Sequence, residues 1–484
     1  MSKRWLVGVV ALAVLLSWSV VMMAGQAKPN QIKFFHAMGG SRIPVIERMV
    51  ADFNATHPDI EVTAVFNGSY RDNLQKTIEA TAAGDTKAIP NIAQIFDVGT
   101  QEVLDSGVFA LAGNVVKQCI ASMQDLNSKG QLNTIDQAKL GELEGFNTSN
   151  FIPAIVNYYR AKDGTLTSFP WNSSNPIVFY NKTIFDKFGI TMPEKPTFQD
   201  IIDIGNKLKA TGQFDKGVIN WPNHSWFVEE WFAEQGQDLV NNGNGRQGRP
   251  SHLNFDSKAA KTLYNWWGTL VKDGLYTNPG FEAWDEADRL FLAQQDPIEI
   301  TSTSEVTILA RDAFNNGFEV GTAFLPVPDN NNRNGVIIGG AALWLPAKQG
   351  AQNLCDAATF SVWMSETAQT IRWHQQSGYF PVTTQALSVL QAQGTFKARP
   401  NLKTALDQLT ETKDNSATNG ARIGAFLKVR TIVEHGFESL EADIKGGMPV
   451  VQAVDTELKA IGTKADKAIC DYQKSIGVNN PGCA

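Results

Sequence analysis

Apolar and polar positions alternate in two rhythms along the chain after residue 30. A short apolar run over residues 32–36 predicts a buried strand. It is followed by an apolar set at the spacing i, i+3, i+4 and i+7, which consists of Ile46, Met49, Val50 and Phe53. This spacing places the four side chains on one face of a helix. The helix should end before Pro58, because proline disfavours helix in the residue before it.

The same alternation continues and predicts an open α/β sheet. Apolar runs over 61–66 and 91–96 are typical of strands, and helical patterns lie over 70–83 and from Thr100 onward. A strand–helix–strand–helix–strand opening indicates a parallel sheet with helices on both faces.

A second series of elements begins at residue 176. Residues 176–182 predict a strand, and a later helix over 197–208 has Thr197 as its predicted N-cap. Further strands are predicted over 298–304 and 336–344. Strands this far apart let the chain cross more than once between two α/β lobes. Ligands of open α/β sheets bind at the carboxyl ends of strands, so a cleft between two lobes is a natural ligand site.

The first segment has the pattern of an export signal. Lys3 and Arg4 precede nineteen residues without charge, and the small residues at 25–27 lie where an export peptidase cuts. We therefore predict a cleavable signal peptide over 1–27 and a soluble periplasmic protein after it. The alternative is an uncleaved membrane anchor, because nineteen uncharged residues could just span a bilayer.

Composition and charge restrict the classes of partner. Hydrophobic residues make up 43% of the chain and charged residues 19%, as in soluble globular proteins. Loss of the leader would take the net charge from −7 to −9, because it removes two basic residues and no acidic ones. We expect no binding to nucleic acid or to anionic membranes, since both reward clustered lysine and arginine.

The four cysteines are Cys119, Cys355, Cys470 and Cys483, and none forms a C-x-x-C pair. Metal and thioredoxin-type motifs therefore have little support. In an exported chain four cysteines allow three disulfide pairings. We predict Cys470 with Cys483, as a clip on the C-terminal tail.

Motifs of catalytic, metal and cofactor sites are absent or out of context. Gly243, Gly245 and Gly248 match the dinucleotide fingerprint, but no strand precedes them and Pro250 follows where a helix should begin. The six histidines are scattered without metal-ligand spacing, and no G-x-S-x-G occurs. We therefore predict no catalytic residue, no metal and no cofactor.

Three tryptophans lie close together in the chain, and they support different interpretations. Trp231 fits the core face of a helix. Trp221 and Trp226 flank a Pro-Asn-His-Ser turn, where an aromatic ring can form a cleft wall against a sugar or polyol. Core packing is the open alternative for both.

Seven stretches of the chain match one family in the family's own order. They are 35–39 (FHAMG), 67–74 (NGSYRDNL), 95–100 (IFDVGT), 170–182 (PWNSSNPIVFYNK), 337–344 (IIGGAALW), 373–381 (WHQQSGYFP) and 420–430 (GARIGAFLKVR). On these stretches the chain resembles the periplasmic glycerol-3-phosphate-binding proteins of ATP-driven (ABC) importers, within the wider sugar-binding group.

The resemblance implies an α/β periplasmic-binding-protein fold without enzymatic activity, in which two lobes are joined by a hinge and enclose an interlobe ligand cleft. We expect lobe 1 to comprise 28–140 with 298–350, and lobe 2 to comprise 141–297 with 351–484. The implied role is that of a monomer that delivers its ligand to permease subunits in the inner membrane. An alternative role, which could coexist with the first, is interaction with a chemoreceptor.

Carried over position by position, the resemblance implies a set of ligand contacts. They are Tyr70, Asp97, Ser174, Trp226, Thr303 or Ser304, Gly340, Tyr379 and Arg430, with Trp221 as a further candidate. Arg430 could hold a phosphate through two parallel hydrogen bonds, and Asp97 could accept hydrogen bonds from glycerol hydroxyls. The N–H of Gly340 could approach an oxyanion closely, because glycine has no side chain.

Two departures from the family pattern favour a larger ligand. The family's usual glutamate is Asp97 here, and one of its two pocket tryptophans aligns with Asn223 unless a gap restores Trp221. Both changes would enlarge the pocket. The expected ligand is therefore glycerol-3-phosphate or a glycerophosphodiester such as glycerophosphocholine. The alternatives are a neutral sugar or glucosylglycerol and, in another class of protein, a secreted phosphodiesterase or glycosidase.

Overall fold

A computed structural model of the chain describes residues 28–483, and the predicted signal peptide over 1–27 lies outside them. The strands are β1 (Asn30–His36), β2 (Ile60–Phe66), β3 (Ile92–Phe96), β4 (Phe109–Ala110), β5 (Phe169–Ser174), β6 (Pro176–Asn181), β7 (Ile219–Asn220), β8 (Tyr276–Thr277), β9 (Ile298–Ser302), β10 (Val320–Ala323) and β11 (Gly339–Pro346).

The helices fall between and after these strands. Those of the first half are α1 (Ile43–Thr56), α2 (Tyr70–Ala83), α3 (Thr100–Ser106), α4 (Ala112–Ser128), α5 (Thr134–Gly145), α6 (Pro153–Val156), α7 (Lys182–Phe188), α8 (Phe198–Ala210), α9 (Ser225–Glu234) and α10 (Asn241–Asn244). Those of the second half are α11 (Lys258–Lys272), α12 (Trp284–Leu292), α13 (Val306–Asn315), α14 (Ala351–Met364), α15 (Thr367–Ser377), α16 (Thr384–Ala392), α17 (Thr395–Ala398), α18 (Pro400–Thr410), α19 (Phe426–Lys445) and α20 (Val450–Ser475). Within residues 28–483, no helix is both long and apolar enough to cross a membrane.

The strands form two sheets, which confirms the predicted two-lobed α/β fold. The first sheet has the order β2-β1-β3-β11-β4, with β5 paired to β11, and the second has the order β10-β6-β9-β7-β8. β1 is parallel to β2 and to β3, as the opening pattern predicts. β11 is antiparallel to β3, β4 and β5, so the first sheet as a whole is mixed.

Short crossings connect the two sheets. β5 ends at Ser174 in the first sheet, and β6 begins at Pro176 in the second, so that Asn175 alone lies between them. This crossing is held by Thr303, which donates its N–H to the carbonyl of Asn175 (2.8 Å) and accepts the Asn175 N–H on its hydroxyl (3.1 Å). A fixed crossing at the inner ends of both sheets is where a cleft between lobes can form.

The lobe boundaries drawn from the sequence stay a prediction, and the sheet membership of three strands (β5, β9 and β10) differs from them. β5 lies within the expected lobe 2 (141–297), yet it pairs with β11 in the first sheet. The expected lobe 1 includes residues 298–350, yet β9 (Ile298–Ser302) pairs with β6 and β7 in the second sheet. Of that stretch, β11 (Gly339–Pro346) joins the first sheet. The chain therefore returns to the first sheet after β10, because β9 and β10 both flank β6.

Local sequence sets where several helices begin. α2 and α8 each start with a capping box, in which Ser69 and Thr197 accept the N–H of the residue three positions on. This confirms Thr197 as an N-cap. The predicted apolar face of α1 is buried as well, and Phe53 packs edge-on against Phe360 and Trp363 of α14.

The four cysteines are paired in two disulfides. Cys470 pairs with Cys483, which confirms the predicted clip on the C-terminal tail. Cys119 of α4 pairs with Cys355 of α14, across a sequence separation of 236 residues. The second bridge ties together two helices that are distant in the chain, so it restricts the unfolded chain far more than the first.

Candidate functional site

A cavity of about 510 Å³ lies where strands of the two sheets end. Asp97 directly follows β3, Ser174 ends β5, and Ser302 ends β9. Gly339 begins β11, which runs antiparallel to β3 and β5 and therefore starts at the same edge. All four residues line the cavity, so it has the position that the strand pattern predicts for a ligand.

The structure brings most of the predicted contact residues together in this cavity. Its lining includes Tyr70, Asp97, Ser174, Trp226, Ser304, Gly340, Tyr379 and Arg430. Ser174 and Gly340 belong to the first sheet, Asp97 and Ser304 follow β3 and β9, and Tyr379 follows α15. The other three residues lie on helices α2, α9 and α19. Their contact with a ligand stays a prediction, whereas their common location is a structural fact.

Two predicted residues lie elsewhere. Thr303 is fully buried and uses its hydroxyl on the crossing at Asn175, so of the pair Thr303 and Ser304 only Ser304 faces the cavity. Trp221 is also fully buried, and its ring stacks parallel to Trp266 with centroids 5.7 Å apart. Trp221 therefore belongs to the core, and the hypothesis that it forms a cleft wall is wrong.

Arg430 reaches the cavity from α19 and is held from one side by Glu229 of α9. Its Nε and Nη2 donate to the two oxygens of Glu229 at 2.7 and 2.8 Å. Burial opposes the charge, but Glu229 outweighs it and raises the pKa of Arg430. The edge formed by Nη1 and the second Nη2 proton makes no hydrogen bond to residues 28–483. Of the five N–H donors of the guanidinium, three thus remain for a ligand, and two of them lie on the edge formed by Nη1 and Nη2.

Asp97 is the acidic group closest in sequence to the end of β3, and it is almost fully buried. Its Oδ1 accepts the N–H of Val98 at 2.7 Å. Burial raises the pKa of Asp97 to about 7, although Arg430 favours its charged form. A carboxyl group with this pKa can switch between accepting and donating hydrogen bonds near neutral pH.

The raised pKa of Asp97 predicts a pH-dependent stability. Between its unfolded value near 3.8 and its folded value of about 7, the folded protein holds a proton that the unfolded chain releases. Stability should therefore fall as pH rises through this window, by up to about 1.4 kcal/mol per pH unit from this group. We expect Asp97→Asn to flatten the slope, measured as urea unfolding at pH 4.5, 5.5 and 6.5. An unchanged slope in the variant would show that other buried acids carry it.

Glycines bring the backbone of β11 close to its neighbours. Gly340 has φ +127°, and a Cβ there would lie 2.1 Å from the carbonyl oxygen of Asn172. At Gly339 a Cβ would lie 2.5 Å from the ring of Trp226. Glycine is therefore needed at both positions, at Gly340 for the backbone and at Gly339 so that the indole can lie against the start of β11.

The phenol rings of Tyr70 and Tyr379 and the guanidinium of Arg42 form another wall of the cavity. The Tyr70 hydroxyl accepts a hydrogen bond from Asn172 (2.9 Å), and its ring stacks on Phe96 with centroids 5.9 Å apart. The guanidinium of Arg42 lies 5.3 Å from the ring centre of Tyr379. Arg42 also pairs with Glu305 at 2.8 Å, so its charge is already balanced across the cleft.

Aromatic rings from α9 and α12 form a further wall of the cavity. The rings of Trp226 and Trp284 lie 6.1 Å apart, and His224 lies 5.2 Å from Trp284. Burial and the charge of Arg430 keep the pKa of His224 well below its usual value, so its ring is neutral. This wall can pack against an apolar face or a cationic group of a ligand.

The same substitution should affect ligand binding at one tryptophan of the turn and only stability at the other. Trp226→Phe should weaken ligand binding several-fold, or about 1 kcal/mol, because it removes ring area from the cavity wall. Trp221→Phe should leave affinity unchanged and lower only the midpoint of urea unfolding. Titration calorimetry and urea unfolding on both variants test this. Equal affinity losses would contradict the assignment of Trp221 to the core.

Several cavity residues were not predicted from the sequence. They are Arg42, Ser69, Arg71, Phe96, His224, Glu282, Trp284, Asp285, Asp288, Thr301, Ser302, Glu305, Gly339 and Leu427. Many of them lie in turns or at the first residues of helices. Ser69 and Arg71 fall inside a stretch that carries the family resemblance. They could have been predicted as cavity residues, because they are adjacent to Tyr70 in the chain. The acids around α12 have no such signal.

The chain is similar to known proteins over most of its length. Residues 48–404 match the family described as bacterial extracellular solute-binding protein. The sn-glycerol-3-phosphate-binding periplasmic protein UgpB of Pectobacterium atrosepticum is 28% identical over 450 residues, which cover 91% of this chain and 92% of that protein. The protein of the same name from Escherichia coli K12 is 28% identical over 450 residues, with coverages of 92% and 94%.

Solved structures share the fold. UgpB from Mycobacterium tuberculosis in complex with glycerophosphocholine superposes with a TM-score of 0.70 at 19% identity, over 92% of this chain and 100% of that one. The cyclic alpha-maltosyl-1,6-maltose binding protein from Arthrobacter globiformis gives a TM-score of 0.64 at 20% identity, over 91% and 100%. At these identities the likeness concerns the fold alone.

Proposed function

The chain belongs to the bacterial extracellular solute-binding protein family, and from this premise we propose that its cleft binds a glycerophosphodiester such as glycerophosphocholine, or the smaller glycerol-3-phosphate. As a member of that family it is the solute-binding component of an ABC importer and not an enzyme. The proposal concerns which solute it carries.

The free edge of the Arg430 guanidinium is the observation that carries the proposal. A guanidinium presents paired N–H donors that match two oxygens of a phosphate. Glu229 occupies the edge formed by Nε and Nη2 and fixes the plane of the group. Because Arg430 also lines the cavity, we infer that the free edge faces the ligand. A buried cation held in this way favours an anionic group of the ligand, because little water competes for it.

The aromatic wall formed by Trp226 and Trp284 favours a ligand that also has a cationic or apolar end. These two rings line the cavity together with the acids Asp285 and Asp288. Indole rings together with carboxylates suit a quaternary ammonium group. A phosphodiester with such a head group would use both walls, whereas glycerol-3-phosphate would use only the side of Arg430.

Relatives support this class of ligand. The relatives from Pectobacterium atrosepticum and Escherichia coli are named for binding sn-glycerol-3-phosphate, and the structure from Mycobacterium tuberculosis is a complex with glycerophosphocholine. In this chain, the cavity at the strand ends is where such a ligand would bind. The hydroxyls of Tyr70, Ser174, Ser304 and Tyr379 would share the remaining phosphate and glycerol oxygens.

Delivery would follow from closure of the two lobes on the ligand. Hinge motion changes the surface that the permease subunits in the inner membrane contact, so that binding becomes a transport signal without bond chemistry. The crossing at Asn175 is one element about which the lobes can turn. We propose that the protein acts in the periplasm as a monomer.

A neutral sugar is the second candidate ligand. Two tryptophans and five carboxylates line the cavity, and stacking rings with hydrogen-bonding acids are what a sugar ring requires. The structure from Arthrobacter globiformis is that of a binding protein for a cyclic maltosyl-maltose. With a neutral ligand, Arg430 would serve mainly as the partner of Glu229.

Titration calorimetry of the chain from residue 28 separates the candidates. The ligands are glycerophosphocholine, glycerol-3-phosphate, glucosylglycerol and maltose, each at two salt concentrations. We expect a Kd of about 1 μM, or about −8 kcal/mol, for glycerophosphocholine and at least tenfold weaker binding of glycerol-3-phosphate. Tighter binding of glycerol-3-phosphate would contradict the proposal that the ligand is a diester. Binding of maltose alone would contradict every phosphate-containing ligand and leave the transport role unchanged.

A further inference from the structure

Three potential metal ligands from distant parts of the chain meet at the cleft wall. They are His224 before α9, Glu282 before α12 and Glu434 of α19, and one ligand atom of each lies within 4.8 Å of the others. His224 and Glu282 also line the cavity, whereas Glu434 lies behind them and is only 1% exposed. No spacing motif announces this group, because its members come from three separate segments.

Asn223 fixes the three segments relative to one another. Its N–H donates to the carbonyl of Gly280 (3.0 Å), and its carbonyl accepts the N–H of Glu282 (3.2 Å). Its side-chain amide donates to the carbonyl of Glu434 (2.9 Å). The backbone on both sides of the group is therefore pre-organised, and only the side chains have to move when a ligand binds.

Two of the three ligand atoms already accept a backbone hydrogen bond, which fixes the direction of their lone pairs. His224 Nδ1 accepts the N–H of Trp226 at 3.1 Å, so the lone pair of this tautomer is on Nδ1. Glu434 Oε1 accepts the adjacent N–H of Ser225 at 3.0 Å. The backbone N–H groups of the successive residues Ser225 and Trp226 thus hold Oε1 of Glu434 and Nδ1 of His224 side by side.

Within residues 28–483, neither Glu282 nor Glu434 forms an ion pair, although the charge of Arg430 acts on Glu434 from a distance. The nearest guanidinium, that of Arg430, is bound to Glu229 by both oxygens. A divalent cation would balance the charges of Glu282 and Glu434, and this attraction outweighs the opposing dipole at the start of α9.

We propose that His224, Glu282 and Glu434 bind a divalent transition-metal cation such as Zn²⁺, with the remaining coordination position open to the cavity. One imidazole nitrogen and carboxylate oxygens are ligands that Zn²⁺ takes, and three protein ligands leave a fourth position free. In a tetrahedral site with bonds of about 2.0–2.2 Å, ligand atoms lie about 3.4 Å apart. The exposed side chain of Glu282 can supply the movement of about 1 Å that this requires.

The metal would replace the hydrogen bond between Trp226 and His224 and would join α9, α12 and α19 at one point. Its open position faces the cleft, so that an oxygen atom of a bound solute could complete the coordination. The metal site does not depend on which solute the protein carries, and it is tested without any solute present.

Titration of the EDTA-treated protein with ZnCl₂ tests the site. We expect one Zn²⁺ per chain with a Kd of about 1 μM or tighter. Glu282→Gln should weaken binding at least tenfold, and its melting temperature in EDTA should equal that of the wild type because Glu282 is exposed. Titration with Co²⁺ adds a second measurement, since a four-coordinate site absorbs strongly in the visible range and the variant should lose this absorption.

Glu438→Gln is the matched control. Glu438 lies one turn beyond Glu434 on α19 and contacts the exposed His435 at 3.1 Å, so it offers a second His–Glu pair outside the cleft. Unchanged Zn²⁺ affinity in this control, together with the loss in Glu282→Gln, supports the proposed site. Absence of Zn²⁺ binding, equal affinity in Glu282→Gln, or loss of binding in Glu438→Gln would each overturn it.

Discussion

Replacement of Arg430 by glutamine should weaken binding of glycerophosphocholine at least a hundredfold, or about 2.7 kcal/mol. In the proposed complex, the free edge of this guanidinium would provide two charge-assisted hydrogen bonds, each of about 1.5–3 kcal/mol. Glutamine can offer one neutral donor group at most. Arg430→Lys should lose much of the affinity as well, because a single ammonium cannot hold the side of Glu229 and two ligand oxygens in one plane.

The effect on binding has to be separated from an effect on folding. Arg430→Gln alone leaves Glu229 buried without its partner, so the double variant Glu229→Gln with Arg430→Gln is the control. The pair of amides removes both charges and should restore much of the unfolding free energy but none of the affinity. Titration calorimetry with glycerophosphocholine and maltose measures the outcome. An affinity within threefold of the wild type in either variant would remove Arg430 from the ligand site.

Glu229→Ala should lower the free energy of unfolding by about 3–5 kcal/mol. The substitution leaves the guanidinium of Arg430 buried without a counter-charge, since Glu229 accepts both of its hydrogen bonds at 2.7 and 2.8 Å. It also removes an oxygen to which the Ser225 hydroxyl donates (3.2 Å). Urea unfolding followed by circular dichroism measures the change.

The chain has a matched control for this prediction. Arg289 and Glu286 form the same two-bond geometry, with both distances at 2.7 Å, but their side chains are about half exposed. Glu286→Ala should therefore leave the free energy of unfolding almost unchanged. Equal losses in Glu229→Ala and Glu286→Ala would show that burial of the Arg430 pair has no energetic weight.

Local pattern was sufficient for many elements of the fold. The helix predicted over 70–83 has those bounds in the structure, and the strand predicted over 61–66 begins one residue earlier. Both are set by the spacing of apolar residues and by caps such as Ser69, which act between residues a few positions apart. The parallel opening of the first sheet followed from the same alternation.

Sequence pattern could not separate core residues from cavity residues where two candidates have the same local surroundings in the chain. Trp221 and Trp226 flank the same turn, yet one packs among Trp231, Trp266 and Tyr276 and the other lies against Gly339 at the cavity. The difference depends on which elements pack on either side of the turn. Adjacent residues Thr303 and Ser304 differ for the same reason, because Thr303 is used on the crossing between sheets.

By itself, the sequence determined the two-lobed α/β fold, the tail disulfide and, through the family resemblance, eight of the 22 residues that line the cavity. Only the tertiary structure decided that Glu229 occupies one edge of Arg430, that Trp221 belongs to the core, and that His224, Glu282 and Glu434 meet. The physical reason is the distance along the chain over which each kind of interaction acts. Periodicity and capping act over one or two turns of chain, whereas charge pairing and burial depend on partners that folding brings from far along it.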